Sequence, residues 1–485
     1  MDGKKLKKII ERYWFLLLAA LVLFLRIPLI FEPFTYGDEG IYLTLGQAAR
    51  RGLVFYQEIH DNKPPLLYLI AALTGSYPAY RTFFFGWSLV TIWLFYQLSQ
   101  QLFGKNKSAV VLTTFLFALF YSLRLFEGTV GNAENFLVAT SLAGFWVALK
   151  AKKTLHYLFA GFLFSLSVLF KVPALFDFAT LLAFLFWQDY KKPLRPLISK
   201  YLGLLAGFIS PILLTLIYYA YHRALKAYLK AAFLQNLPYL SSWGEDQPQA
   251  GGLPFTLFIR ALIVVLLFLF LLAKRKKITP RLSLILLWFS LALFAALLSS
   301  RPYPHYLLQA IPPLALSFGF LTENRFKRLI PLFLTGTLMG IFYLFHFWHY
   351  SSYDYLSNFY QYALGGKNQA QYYQYFGEQT PFLYQSAKFL SLHTAKEEKI
   401  FVWGTQPSIY ALARRLPVGR YAASYHIIDF AGQQETIKAL KQSPPRFMVV
   451  DEKEKSPFPA FFGLLEGNYS LFSQIGNFLV YRRQI

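Results

Sequence analysis

Long apolar runs, separated by short polar segments, occupy most of the first 350 residues of the chain. A helix needs about 20 residues to cross the hydrocarbon core of a bilayer, and most of the runs approach that length. The pattern predicts an α-helical polytopic membrane protein with about eleven transmembrane helices. The predicted spans lie at residues 13–31, 79–101, 108–123, 134–150, 155–170, 174–188, 201–221, 254–273, 282–299, 306–322 and 329–348.

Basic residues are concentrated in alternate connections between these runs. These connections lie near residues 4–12, 105–107, 150–153, 191–200, 274–281 and 325–328. The intervening connections are longer but carry far fewer lysines and arginines, and basic residues in short loops remain cytoplasmic. The sequence therefore predicts a multi-pass protein of the plasma membrane with a cytoplasmic N-terminus. Because the predicted number of spans is odd, the C-terminal segment is expected outside the cytoplasm.

Two connections on the predicted outer side are long, at residues 32–78 and 222–253. Loops of this length usually carry function or internal structure. In the first, EGIYLTLGQAARR has the spacing of a helix with an apolar face, and PPLLYLIAALTG is too short to span a bilayer. We expect both segments to form helices that lie at the membrane interface.

The pattern changes in the last quarter of the chain. KIFVWG and RFMVVD are typical of buried strands, PSIYALARR and QQETIKALKQ of helices, and NYSLFSQIGNFLVYRR of a terminal hairpin. The predicted organisation is a transmembrane domain at 1–350, a linker rich in Tyr and Gln at 351–376, and a small extracytoplasmic α/β domain at 377–485. Within the last domain, Trp403, Tyr410 and Tyr425 either stack on sugars or belong to the core.

Composition excludes several classes of protein. Of the 485 residues, 56% are hydrophobic and 15% are charged, which is too apolar for a soluble core. The net charge of +24 does not indicate nucleic-acid binding, because the basic residues occupy short connections rather than one face. The chain has no cysteine, so thiolate chemistry and disulfides are excluded.

Ionisable residues gather at the predicted outer side, where they are costly beside a membrane and tend to mark sites. The first outer loop opens with Asp38 and Glu39, and continues with His60, Asp61 and Lys63 before a pair of prolines. A structural alternative is a solvated helix start with Asp38 as N-cap. For the second segment the alternative is a structural turn, which explains the prolines but not the lysine at the membrane surface, where an anionic lipid head group would lie.

Further outer-side candidates come from later connections. Glu127 and Glu134 follow the third predicted span, Lys171 lies in LFKVP, and Arg301, His305 and Tyr306 lie in SSRPYPHYLLQ. Glu134 is alternatively a charge at a helix N-terminus, and Lys171 alternatively extends to water. A metal site at His305 is weakly supported, because no second ligand stands at the appropriate spacing.

These motifs resemble those of the bacterial polyprenyl-phosphate-sugar glycosyltransferases of the GT-C superfamily. That group includes dolichyl-phosphate-mannose protein mannosyltransferases and lipid A aminoarabinose transferases. The matching segments are GDE, DNKPPLLYLIAAL, AYRTFFFGWS, ENFLVATSLAGFW, LFKVP and RPYPHYLLQAIPPLAL, and they run over most of residues 30–320 in the family's usual order. The C-terminal domain lies outside the resemblance.

The resemblance implies transfer of a sugar, with inversion, from a polyprenyl phosphate to an acceptor hydroxyl on the outer side of the membrane. Asp38 would be the general base, and Glu39 would position that acid or the acceptor. Lys63 is the first candidate for binding the phosphate, followed by Lys171, Arg81 and Arg301. His305 and Tyr306 are candidate hydrogen-bond donors, and His60, Asp61 and Glu134 are further candidates for the same site.

The expected partners are the lipid bilayer, a polyprenyl-phosphate-linked sugar, and an acceptor that is a protein, a lipid or a glycan. No nucleic acid is expected. The sequence requires no cofactor; some members of the family use a divalent metal ion and others do not. Two other functions stay open, a transporter or flippase and a polymerase or ligase of lipid-linked glycans. Transporters usually place ionisable residues near the middle of interrupted helices, whereas here they lie at span ends.

Overall fold

The computed structural model describes residues 3–236, 253–299, 301–323 and 326–484, and most of these residues are helical. In chain order the α-helices are α1 Gly3–Arg26, α2 Pro28–Phe31, α3 Gly37–Ala49, α4 Leu66–Thr74, α5 Tyr77–Phe103, α6 Lys107–Ser122, α7 Ala133–Lys150, α8 Thr154–Phe170, α9 Leu175–Asp189, α10 Leu194–Tyr221, α11 Leu225–Ala232, α12 Leu253–Ala273, α13 Pro280–Ala296, α14 Ile311–Ser317, α15 Leu329–Leu344, α16 Ser352–Ala363, α17 Gln369–Gln374, α18 Thr380–His393, α19 Ser408–Ala413, α20 Ser424–Asp429, α21 Gln433–Gln442 and α22 Pro459–Asn468. The strands are β1 Phe401–Trp403, β2 Phe447–Asp451, β3 Tyr469–Ile475 and β4 Phe478–Arg483.

The predicted apolar runs correspond to helical segments. Among the described residues, Tyr13–Phe31, Val172–Asp189 and Leu197–Tyr221 are long and apolar enough to cross a membrane, and five further apolar helices are shorter. Helix α12 leaves Phe258, Ile263 and Phe270 more than half exposed. Large apolar side chains exposed in this number along a helix indicate a surface that lies against lipid.

The run at 306–322 differs from the single helix predicted there. It consists of a 3-10 segment at Pro304–Ala310, the short helix α14, and a second 3-10 segment at Phe318–Thr322. The reason is the proline pair Pro312 and Pro313 at the start of α14, because proline lacks the N–H that a continuous helix needs.

Chain contacts divide the protein into two compact units, which we call unit 1 and unit 2. Unit 1 comprises Met1–Leu29, Phe84–Ile217 and Gln235–Tyr353, and unit 2 comprises Ile30–Phe83, Tyr218–Leu234 and Asp354–Ile485. The predicted outer loop 222–253 contains α11, and its residues 237–252 lie outside the described residues. The segment 351–376 predicted as a linker contains α16 and α17.

Unit 1 contains a buried arginine that joins three helices. Arg26, at the end of α1, donates from Nη1 to Ser88 Oγ over 2.7 Å and from Nε to Ser122 Oγ over 2.9 Å. Its Nη2 donates to the carbonyl of Tyr121 over 2.7 Å, and its guanidinium lies 4.4 Å from the centre of the Tyr121 ring. These partners satisfy the charge inside the helical bundle and fix α1 against α5 and α6.

A buried carboxyl joins three further helices of unit 1. Asp177 of α9 accepts hydrogen bonds from Ser141 Oγ of α7 at 2.7 Å and from Trp288 Nε1 of α13 at 3.0 Å. The carboxyl lies near one end of its helix, and both of its oxygens are hydrogen-bonded. This arrangement is that of a structural contact between helices.

Unit 2 is assembled around α3, which packs against α4 and α19. Two glycines permit this approach. A Cβ atom on Gly40 would lie 2.7 Å from the backbone nitrogen of Ser408, and one on Gly46 would lie 2.6 Å from the carbonyl carbon of Ala71. As a result, both Ile41 and Leu45 of the predicted apolar face are fully buried in the interior of unit 2.

The C-terminal strands form one sheet in the order β1-β2-β4-β3. Strand β1 pairs with β2 in parallel, and β4 pairs with β2 and β3 in antiparallel fashion. Helices α18 and α19 cover one face, and α21 and α22 cover the other. The predicted strands, helices and hairpin are confirmed. Trp403 and Tyr410 are fully buried in this core, so they do not stack on sugars, whereas Tyr425 is partly exposed.

Candidate active site

Asp38 lies in the first turn of α3, close to a lysine. The helix begins at Gly37 with Tyr36 as N-cap, so Asp38 is not the capping residue. The hydroxyl of Tyr42, one turn along the helix, donates to Asp38 Oδ2 over 3.0 Å. Lys63 Nζ lies 3.4 Å from the same oxygen, and the Asp38 side chain is 29% exposed. A carboxylate with an exposed face is thereby held beside a cation.

Lys63 is held in place through its backbone as well as its ammonium. Its N–H donates to the hydroxyl of Tyr68 over 3.0 Å, and its carbonyl accepts from the hydroxyl of Tyr56 over 2.8 Å. Its Nζ lies 3.6 Å from Asp61 Oδ2, and the side chain is 17% exposed. The ammonium therefore lies between two carboxylates, those of Asp38 and Asp61.

Asp61 is fully buried and has several polar neighbours. The Tyr68 hydroxyl donates to Oδ2 over 2.8 Å, the Asn62 N–H donates to Oδ1 over 2.7 Å, and His426 Nε2 lies 3.6 Å from Oδ1. Burial alone would raise the pKa of this carboxyl, but Lys63 and His426 together hold the pKa below its ordinary value. Asp61 is thus an ionised group inside unit 2.

His60 packs among aromatic rings of the C-terminal segment. Its ring centroid lies 4.8 Å from that of Phe430, 5.2 Å from that of Tyr421 and 6.2 Å from that of His426. Neither ring nitrogen has a hydrogen-bond partner among the residues that the structure describes. Burial, followed by the neighbouring charges of His426 and Arg420, lowers the pKa of His60 to about 3. The ring is therefore neutral near pH 7.

Glu39 and Arg81 form a buried ion pair. Arg81 Nη2 lies 2.7 Å from Glu39 Oε2, and Nη1 lies 3.6 Å from Glu32 Oε2. The Tyr355 hydroxyl donates to Glu32 Oε2 over 3.1 Å. The side chains of Arg81 and Glu39 have no exposed surface. Their geometry supports a role in holding α3 against the start of α5, and the predicted catalytic and phosphate-binding roles of the two residues stay predictions.

A second cluster of candidates lies in unit 1. Lys171 Nζ pairs with Glu134 Oε1, and it lies 3.9 Å from the centre of the Tyr306 ring. His305 pairs through Nδ1 with Glu127 Oε2, and its Nε2 lies 3.9 Å from Glu134 Oε1. The predicted residues Glu134, Lys171, His305 and Tyr306 are thus brought together, and Lys171 has an anionic partner rather than extending alone to water.

Arg301 lies four positions before His305 and is half-buried. Its backbone N–H donates to Ser299 Oγ over 3.4 Å. Its predicted contact with phosphate stays a prediction. Within the described parts of the chain, no group of three or more His, Asp or Glu residues is arranged to hold a metal ion.

Several residues of these clusters were not identified from the sequence. Tyr42 follows Asp38 by four positions, a spacing that brings two side chains of one helix together, whereas Asp61 lies before the start of α4 and its contact with Tyr68 had no such signal. Glu32 and His426 gave no such signal, because each reaches its partner through the tertiary fold.

Comparison with known proteins identifies the fold. No protein-family model matches the sequence, and no curated protein matches it. The structure is similar to that of ArnT from Cupriavidus metallidurans in the apo state, with a TM-score of 0.57 and 13% sequence identity, over 97% of this chain and 98% of that chain. It is also similar to ArnT from the same organism bound to undecaprenyl phosphate, with a TM-score of 0.56 and 13% identity, over 96% of this chain and 97% of that chain.

The likeness extends over nearly the whole of both chains, including the C-terminal segment that the sequence motifs did not cover. It confirms the predicted fold class, a polytopic helical membrane protein with a small C-terminal α/β domain. The chain therefore has the fold of ArnT, as the order of its motifs predicted.

Proposed function

We propose that this protein is a glycosyltransferase that transfers a sugar from a polyprenyl phosphate to an acceptor hydroxyl, with inversion at the anomeric carbon. Its fold is that of ArnT, a structure of which contains undecaprenyl phosphate. Fold alone does not determine activity, so the argument depends on the residues of the site.

The observation that carries the proposal is the pairing of Asp38 with Lys63. The two side chains are 3.4 Å apart, and both retain exposed surface. Transfer of a sugar from a phosphate to a hydroxyl needs a base for the acceptor proton and a cation for the departing phosphate. Asp38 and Lys63 supply these two groups side by side.

The proposed reaction has one displacement step. The acceptor oxygen attacks the anomeric carbon on the face opposite the phosphate, and its proton passes to the Asp38 carboxylate. The bond between the anomeric carbon and the phosphate oxygen breaks, and its electron pair remains on that oxygen. Lys63 stabilises the developing phosphate charge. The products are the glycosylated acceptor and free polyprenyl phosphate.

The other residues predicted to contact the donor differ in whether a phosphate can reach them. Arg81 is fully buried with Glu39, so it cannot reach a phosphate without breaking that pair. Lys171, His305 and Tyr306 of unit 1 remain candidates for polar contacts with the donor, and Lys171 would exchange Glu134 for the ligand. Arg301 remains a candidate on its position in the motif.

The predicted topology belongs to this proposal. The concentration of basic residues in alternate connections supports a plasma-membrane protein with a cytoplasmic N-terminus and an outer C-terminal domain. The first outer loop, which carries Asp38 and Lys63, would then act outside the cytoplasm. The acceptor is a protein, a lipid or a glycan of the cell envelope.

Release of undecaprenyl phosphate tests the proposal. Purified protein is incubated with a panel of undecaprenyl-phosphate hexoses and pentoses and an envelope extract, and the released lipid is measured by mass spectrometry. At least one donor is expected to be consumed, and Asp38→Asn is expected to reduce the rate by about 100-fold or more. Glu466→Gln, on an exposed position of α22, is the matched control. Equal rates in wild type and Asp38→Asn would refute the role of this base.

A further inference from the structure

The two carboxylates beside Lys63 differ in accessibility. Asp38 Oδ2 and Asp61 Oδ2 lie 3.4 and 3.6 Å from Nζ, but the Asp38 side chain is 29% exposed and the Asp61 side chain is not exposed at all. An incoming phosphate can reach the ammonium only from its exposed side. Asp38 can therefore be displaced from Lys63 by a ligand, whereas Asp61 cannot.

Asp61 is also the more firmly held of the two carboxylates. The Tyr68 hydroxyl donates a hydrogen bond to Oδ2 and accepts one from the backbone N–H of Lys63, so the same tyrosine holds both Asp61 and Lys63. The Asn62 N–H fixes Oδ1. An acid fixed at both oxygens is suited to hold a cation in one position.

His426 reaches this acid from the C-terminal segment. It lies on α20, its Nε2 is 3.6 Å from Asp61 Oδ1, and it is almost fully buried against His60 and Phe430. Its Nδ1 has no hydrogen-bond partner among the described residues. At 3.6 Å this nitrogen is too far from Oδ1 for a hydrogen bond, but it is the polar group that the C-terminal segment places beside the buried carboxylate.

We infer that Asp61 and His426 are positioning residues for Lys63. Asp61 keeps the ammonium in place when it exchanges Asp38 for the donor phosphate, and His426 keeps the Asp61 carboxylate oriented. The exchange also moves the Lys63 ammonium from Asp38 to the phosphate, and a carboxylate accepts a proton more readily when a neighbouring cation is withdrawn from it. The C-terminal segment thereby contributes to the site through α20. This inference rests on the proposed function.

The inference predicts that substitution of the two carboxylates beside Lys63 changes the affinity for undecaprenyl phosphate in opposite directions. Asp38→Asn removes a competitor of the phosphate, so undecaprenyl phosphate should bind more tightly than to wild type. Asp61→Asn removes the anchor, so binding should weaken by about tenfold, which corresponds to about 1.4 kcal/mol. His426→Phe keeps the ring and loses the nitrogen near Asp61, so it should weaken binding in the same direction. His426→Gln, which retains a donor, should restore part of the loss.

Two measurements on the full-length protein test the inference. The first is the affinity for undecaprenyl phosphate in detergent, by native mass spectrometry. The second needs no lipid: the rate at which a small anhydride acylates Lys63 at fixed pH, because only the neutral amine reacts. Asp61→Asn removes the anion that favours the ammonium form of Lys63, and His426→Phe removes the group that orients this anion. Both substitutions are therefore expected to raise the rate several-fold. Size-exclusion profiles check that each variant is folded.

The outcomes separate the inference from the proposed function. If wild type binds the lipid but Asp61→Asn and His426→Phe bind it equally well, the inference is overturned and the proposed function stands. If wild type binds no polyprenyl phosphate, the proposed donor is wrong, and the acylation rates still decide whether the two residues control Lys63. Unchanged rates would overturn the inference in that case too. If Asp61→Asn does not fold, His426→Phe and His426→Gln decide alone.

Discussion

Lys63 and Arg81 were both predicted to bind phosphate, but they differ in burial. Each lies close to two carboxylates, but Arg81 is fully enclosed and Lys63 is 17% exposed. Removing one partner from a buried pair leaves an uncompensated charge, at a cost of about 3–5 kcal/mol. Exchange of a partner for a phosphate is therefore feasible at Lys63 and costly at Arg81. The chemistry of the site thus depends on the exposed lysine.

Two buried histidines of unit 2, His60 and His426, make the stability of the protein depend on pH. Burial holds the pKa of His60 at about 3 and lowers that of His426, whereas both titrate near 6.5 when unfolded. The unfolded chain then binds more protons between these values, so stability is lost as the pH falls below about 6.5. The charged groups around His60 are Arg420, Asp61 and Lys230, besides His426.

Thermal unfolding followed at several pH values between 7.5 and 4.5 measures this dependence. We expect the melting temperature of wild type to fall as the pH drops below 6.5, and that of His60→Phe to fall less, because phenylalanine keeps the ring contacts without a titratable group. Parallel curves for the two proteins would show that His60 does not contribute.

Helix α3 depends on glycine for its position. Gly46 lies against the backbone of α4, where an added Cβ would be 2.6 Å from Ala71. Backbone atoms cannot move aside as a flexible side chain can. The helix that carries Asp38 is therefore positioned by a close contact between helices.

Replacement of Gly46 by alanine tests this packing. We expect Gly46→Ala to destabilise the protein by about 1–3 kcal/mol, as other overpacked sites do, and to lower the melting temperature and the yield in detergent. Gly86→Ala is the control, because that helical glycine of α5 has open space within 4 Å. A Gly46→Ala protein as stable as Gly86→Ala would exclude the close contact.

Local elements could be predicted from sequence, and distant partners could not. The hairpin of β3 and β4 and helix α21 follow from alternation and helical spacing within short segments. The pair of Glu39 with Arg81 joins residues 42 positions apart, and His426 reaches Asp61 from the far end of the chain. No local pattern encodes such contacts, so the sequence singled out Glu39 without showing that it lies buried in an ion pair with Arg81.

At the scale of the whole chain, too, the sequence pattern predicted the class of fold but not every feature of it. Apolar runs identified a polytopic helical protein because the bilayer fixes the length of a span. The proline pair in α14 broke one predicted helix, and a run of apolar residues alone did not reveal the break. The order of the motifs indicated the fold, which the likeness to ArnT confirms despite 13% identity.

The proposed topology can be measured with fusions to alkaline phosphatase, which is active only outside the cytoplasm. A fusion after Arg483 is expected to be active, and one in the basic connection at 150–153 is expected to be inactive. The opposite pair of activities would invert the topology and place the first outer loop, with Asp38 and Lys63, inside the cell.

The proposed function depends on Lys63 binding the donor phosphate and Asp38 acting afterwards as base. Native mass spectrometry of wild type, Asp38→Asn and Lys63→Ala with undecaprenyl phosphate tests this division directly, with Lys438→Ala on an exposed position of α21 as control. We expect wild type, Asp38→Asn and Lys438→Ala to retain the lipid and Lys63→Ala to lose it. Equal binding by Lys63→Ala and wild type would contradict the account.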